Sequence, residues 1–159
     1  MHRLVPLLLL LLISLPVQAA QPCQGGKLKS PNFKLPNVRL KPGAHGTLKL
    51  TAKHLDGLGF DIVVKYDDTV AQITNVTAGP NADGHAVIWN IPEDGVLRIA
   101  MFGPQQLSGN GTLLLIDLVV SYDIDTGGPG LLSTPLVLDV IVDEGAVNAC
   151  TTNGVLKVG

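Results

Sequence analysis

Aromatic residues are scarce in this 159-residue chain, at 4%, with one Trp, two Tyr and three Phe. A surface that grips polysaccharide stacks several rings against sugar faces, and few rings are present to build one. Charge is scarce too. Lys and Arg number 11 and Asp and Glu 13, for a net charge of −2. That balance supplies no basic field for nucleic acid and no polybasic patch for an anionic membrane. There are two cysteines, Cys23 and Cys150, with no Cys-x-x-Cys spacing and no histidine beside either. Redox and zinc chemistry therefore lack their residues. The three histidines beyond the leader, His45, His54 and His85, fall in or beside turn sequences and read as solvated side chains.

Other catalytic patterns are missing as well. Ser108 lies in Leu107-Ser108-Gly109 behind Gln106, which denies it the Gly-x-Ser-x-Gly elbow of a hydrolase nucleophile. The carboxylates Glu93-Asp94 and Asp143-Glu144 are turn pairs, and nothing in the sequence makes them converge as a glycosidase acid and base would. Asp123-Ile124-Asp125-Thr126-Gly127-Gly128 begins like a calcium loop. It has Thr134 where the bidentate acid belongs, and no cofactor or metal is expected. Asn75-Val76-Thr77 and Asn110-Gly111-Thr112 match the glycosylation sequon, which matters only in a eukaryotic secretory pathway.

One continuous apolar run is present, residues 4–15, preceded by Arg3 and followed by Val17-Gln18-Ala19. Such a run is short of the ~18 residues a membrane span needs, and the small residues suit cleavage. Residues 1–19 read as a signal peptide cut near Ala19, so the mature chain is expected in the periplasm or outside the cell. Pro22 before Cys23 does not suit lipidation. In an exported chain a lone cysteine pair is most often a disulfide, so Cys23 and Cys150 are expected to be bonded. Closing so long a loop contributes roughly 4–5 kcal/mol in the chain-entropy model.

Residues 20–36, with Gly25-Gly26 and three prolines, read as an irregular lead-in, and 37–159 as one β domain. The clearest strand is 57–67. Phe60, Ile62, Val64 and Tyr66 share one parity, and Asp61, Val63, Lys65 and Asp67 the other. Further strands are expected at 37–40, 47–54, 70–76, 86–91, 96–102, 112–122, 135–142 and 153–158, with turns at 54–57 and 92–95 and loops at 78–84, 103–111 and 123–133. About nine strands with regular turn signals and no helical periodicity predict a mostly antiparallel, all-β sandwich.

The ordered set of these segments resembles the cohesin family. The run GLGFDIVVKYDDTVAQITNVTAG is similar to its third-strand signature and the run after it. GVLRIAMFGPQQLSGNGTLLLIDLVV is similar to a strand, a loop ending Ser-Gly-x-Gly-Thr and a long apolar strand. TPLVLDVIVDEGAVNACTTNGVLKVG is similar to the closing strands. The match runs from about Gly46 to Val158 and covers most of the mature chain. The resemblance implies a nine-stranded jelly-roll sandwich with a non-catalytic role, binding dockerin-type domains of polysaccharide-degrading or surface proteins. It implies that the third, fifth, sixth and eighth strands form the partner face. It carries over Asp61 as a third-strand contact, with Gly59 where the family has Asn, and Trp89 as an aromatic contact on the fifth strand.

Parity leads to the same face. Asp61, Val63 and Lys65, then Arg98 and Ala100, then Val137, Asp139 and Ile141 each oppose core-facing runs on their own strands. If these strands share a sheet, aliphatic groups rimmed by charge look outward, which suits a protein interface. Asp61 and Arg98 are expected to pair across neighbouring strands. Lys49, Thr51 and Lys53 mark the opposite, purely solvated face. Two alternative functions are a carbohydrate-binding module of the same fold and a structural subunit of a surface or secretion assembly.

Overall fold

Two long strands dominate the computed structural model, which describes residues 21–22, 30–124, 131–145, 147 and 149–159. The expected leader and Cys23 lie outside the described residues. Strand β4 runs His45–Lys65 and strand β7 runs Val96–Val120, and they pair antiparallel along nearly their whole length, from His45 opposite Val119 to Lys65 opposite Val96. The sequence reading divided each of these into two strands. The structure bends them instead, with register shifts at Leu50/Thr51, Ala52/Leu55 and Gly57/Gly59. Bulges twist and redirect a strand without ending it. At the second shift His54 takes φ 53° and its N–H donates to Asn110 Oδ1 at 2.8 Å.

The bends let one strand pair serve two layers. The first half of β4 takes β2 (Asn32–Lys34) as its outer neighbour, and the second half takes β8 (Leu132–Val142). The first half of β7 carries β6 (Ala86–Glu93), and its second half carries β5 (Ala71–Ala78). One layer is therefore β8-β4-β7-β6. In the other layer β4 and β7 run between β2 and β5, and β9 (Cys150–Thr152) lies parallel to β2, with β1 (Gln21–Pro22) parallel to β9. The start of β8 pairs with β10 (Gly154–Val158), which runs parallel to β3 (Asn37–Leu40). Where β8 changes neighbours, the Leu138 N–H donates to Asn153 Oδ1 at 2.9 Å.

Between the layers lies one apolar core. Leu48, Leu50, Ile62, Val64, Leu97, Ile99, Leu114, Ile116, Leu138 and Val140 are buried, as the alternation of their strands requires. Phe33 of β2 meets Phe60 of β4 edge to face, with ring centroids 6.1 Å apart. Full burial of each such side chain contributes about 1.5–3 kcal/mol. Phe33 and Leu35 are completely buried, so part of the expected irregular lead-in is core-forming strand. Three-residue strands with neighbouring prolines leave too little alternation for a periodicity argument to find.

Candidate protein interface

The four-stranded layer β8-β4-β7-β6 turns one parity inward and the other outward. Its register sets the outward side chains in rows across the strands. Ile141, Asp61, Ala100 and Ile88 form one row, and Asp139, Val63, Arg98 and Asn90 the next. Beyond them lie Val137, Lys65 and Val96 on one side, and Gly59, Phe102 and Ala86 on the other. The structure thus gathers Asp61, Val63, Lys65, Arg98, Val137, Asp139 and Ile141 on one surface. Together with Ile88, Asn90 and Ala100, most of them line an open depression of about 540 Å³.

Two outward residues escaped the sequence reading. Ile88 is 61% exposed and Phe102 50%, and both belong to this face, as does Val137 at 39%. The parity of Leu97, Ile99 and Met101 was enough to turn Phe102 outward. On β6 both parities are apolar, so periodicity could not choose between Ile88 and Trp89. The exposed large hydrophobics of the described residues include none on β2, on β5 or on residues 112–120. The opposite layer shows exposed Lys34, Lys49 and Lys53, and a Thr47 hydroxyl donating to Asp117 at 2.6 Å. Of the strand faces, the outer one of β8-β4-β7-β6 carries Ile88, Phe102 and Val137, while exposed Tyr122 and Leu131 lie outside the strands.

Three expectations differ from the structure. Trp89 pairs with the buried Ile99 and packs half-buried against the core, so its side chain has the inward parity; it borders the depression, while β6 turns Ile88 and Asn90 outward. A large ring gains more from the edge of the core than from water. Arg98 stands directly opposite Val63, and Asp61 opposite Ala100. Asp61 and Arg98 are diagonal neighbours rather than a direct cross-strand pair, a separation of about 7–8 Å between backbones. His85 also differs from the solvated turn residue expected. It is half-buried, with Nε2 2.9 Å from the Gln105 carbonyl oxygen.

One end of the face is held by Asp143. Its Oδ1 accepts hydrogen bonds from the N–H groups of Leu58 and Gly59, both at 2.8 Å. Asp143, Glu144 and Gly145 all have positive φ, at 47°, 56° and 89°, which turns the chain sharply as β8 ends. A Cβ on Gly59 would meet only that Oδ1, at 3.9 Å, so the position has room for a side chain.

Among the described residues no group of three or more His, Cys, Asp or Glu could hold a metal ion, and no helix is long and apolar enough to cross a membrane. Cys150, half-buried in β9, is without a disulfide among the described residues, which do not include Cys23.

No family model and no curated protein matches the chain in sequence. Solved structures do match it in fold. A non-cellulosomal cohesin from the archaeon Archaeoglobus fulgidus superposes with a TM-score of 0.68 at 15% identity, covering 82% of this chain and 91% of that one. A type I cohesin–dockerin complex from Clostridium thermocellum gives 0.69 at 13% identity, covering 87% and 98%. The sixth cohesin of scaffoldin B from Acetivibrio cellulolyticus, solved with a dockerin, gives 0.65 at 16% identity, covering 82% and 99%. Rows, layers and superposition agree: this chain has the cohesin fold.

Proposed function

We propose that this protein is an exported, non-catalytic binding module that holds a dockerin-type domain on the outer face of β8-β4-β7-β6. The observation that carries the reading is the exposure of Ile88, Phe102 and Val137 on one outer face, among the charges of Asp61, Lys65, Arg98 and Asp139. Exposed apolar side chains rimmed by charge bury area when a partner docks, while the charges set its orientation. The shared fold with cohesins solved in dockerin complexes supports the choice of partner. The leader-like residues 1–19 support export, and a dockerin partner would attach the protein to polysaccharide-degrading or surface proteins.

The test is titration of the purified protein against a panel of recombinant dockerin modules, by calorimetry, beside a glycan array. Saturable binding to a dockerin that is weakened by Asp61→Ala and by Ile141→Ser is the expected result. Specific sugar binding with no dockerin binding would transfer the face to a carbohydrate-binding role.

A further inference from the structure

Strand β6 is the edge of its layer and pairs with β7 alone among the described residues. The far side of an edge strand carries backbone N–H and C=O groups without a ladder partner, a template for another strand. At the opposite end of the same layer the edge of β8 is closed. There the Leu138 N–H donates to Asn153 Oδ1, and Val142 bridges to Val147. We propose that β6 pairs antiparallel with β6 of a second copy of this chain, so that the two four-stranded layers join into one continuous sheet.

The sequence of β6 is complementary to itself. From Ala86 to Pro92 it carries no charged side chain, so no like charges meet when two copies pair. Ile88 and Ile91 are both exposed although they belong to a strand. Strands β5 and β3 are edges too, and both are protected. On β5 Ile73 and Val76 are buried while Gln72, Thr74 and Thr77 face water, and β3 carries the exposed Arg39. The ladder of β6 with β7 is regular from Ala86 to Asn90 and is shifted by a bulge before Glu93. That regular stretch is centred on Ile88. A two-fold axis there sets Ile88 opposite Ile88 of the second copy, and Val87 opposite Trp89 twice. Opposed residues share a face of the sheet and touch. The Val87–Trp89 pairs thus close the margin of the core, where both side chains are half-buried. The axis stands perpendicular to the sheet, so both outer faces look the same way, and the inference does not rest on what those faces bind. The contact is built on the backbone from Ala86 to Asn90, far less than the roughly 20–30 residues a side of a standard interface, so the pairing is reversible.

The experiment is sedimentation velocity of the full protein from about 1 μM to about 1 mM, the range in which so small a contact is half formed. A monomer at the low end and a dimer at the high end is the expected result. Trp89 is the only tryptophan, so its emission should shift to shorter wavelength with the same midpoint. Ile88→Lys sets two lysines opposite each other across the axis and should weaken dimerisation at least about tenfold, as should Ile88→Glu. An equimolar mixture of these two variants should restore a dimer, because lysine then faces glutamate. Gln72→Lys, on the edge of β5, should change nothing. Ile88 looks outward, so thermal melts of its variants should match that of the parent.

A monomer throughout the range, a dimer that Ile88→Lys leaves unchanged, or a mixture of the Lys and Glu variants that stays monomeric would overturn the inference. So would a dimer that survives on a non-reducing denaturing gel, since it would be joined through Cys23 or Cys150 rather than through β6.

Discussion

The carboxylate of Asp143 caps the backbone of Gly59, with its Oδ1 2.8 Å from the Gly59 nitrogen and equally close to that of Leu58. One side chain on the turn after β8 thus fixes the end of β4 where the outer face begins. It does so from a left-handed backbone, φ 47°, that few residues other than Gly, Asn and Asp adopt readily. Asp143→Asn retains an acceptor oxygen and tolerates that conformation, so its melting temperature should stay close to that of the parent. Asp143→Ala leaves two N–H groups without their acceptor and is expected to cost about 1–3 kcal/mol in chemical denaturation.

Gly154 opens β10 against Pro36, and a Cβ there would come within 2.3 Å of the Pro36 carbonyl oxygen. Backbone cannot swing aside as a side chain can. Gly154→Ala should therefore lower stability by about 1–3 kcal/mol through overpacking. Gly59→Ala, with an ordinary contact only, should be nearly neutral in the same assay.

Burial raises the Tyr66 phenol above its ordinary ionisation range, helped by the nearby charges of Asp68 and Asp94. The folded state therefore favours the neutral phenol. Below the unfolded value near pH 10 the neutral form is present in both states and its contribution to stability is complete. As pH rises past that value the unfolded chain loses its proton first, so stability falls until the folded phenol ionises as well. Denaturant midpoints should decline above about pH 10, and Tyr66→Phe should flatten that decline.

Cys150 pairs in register with Asn32 on one side and Gln21 on the other, two residues before Cys23 in sequence. The expected disulfide between Cys23 and Cys150 gives a direct outcome. Thiol labelling of the unreduced, unfolded protein should give no signal. Cys150→Ser should lower stability by roughly 4–5 kcal/mol, or less if the bridge is strained. Two reactive thiols would show that the pair is open.

The docking face gives the last prediction. Asp61→Ala and Ile141→Ser should each weaken dockerin binding while the melting temperature barely moves, because both side chains look away from the core. Removing one charged partner from a desolvated interface costs about 2–5 kcal/mol of binding. Lys49→Ala, on the opposite layer, should alter neither quantity. A dependence on Lys49 without one on Asp61 would show that the wrong face had been chosen.

Much of this surface was legible in the sequence because alternation is a strong signal when one face is apolar. Phe60, Ile62 and Val64 against Asp61 and Lys65 defined the second half of β4, and Leu136, Leu138 and Val140 did the same for β8. The signal failed where both parities are apolar, as on β6, so Trp89 was named from the resemblance alone, and its ring lies half-buried against the core. It failed again where strand ends are marked by turn residues. Residues 54–57 read as a turn and 103–111 as a loop, yet β4 and β7 continue through both as bulges, with Leu55 opposite Gly109 and Gly57 opposite Leu107. Nothing local distinguishes the two, because the choice depends on whether a partner strand continues alongside. Register was also beyond the sequence, which is why the Asp61–Arg98 pair was displaced by one row.

The parallel pairing of β10 with β3 joins Val38 to Leu156 and Leu40 to Val158, residues far apart along the chain. During synthesis, β3 emerges long before its partner exists. The sandwich therefore cannot close progressively from its N-terminal end. Until β10 is released, β3 and the first half of β8 each lack a neighbour, and their apolar side chains remain open to association with other chains. Completion of the fold is a late event that depends on the last strand, and topology of this kind makes it slow. A nascent chain stalled before Gly154 should accordingly stay susceptible to protease and chaperone binding, whatever the stability of the finished protein.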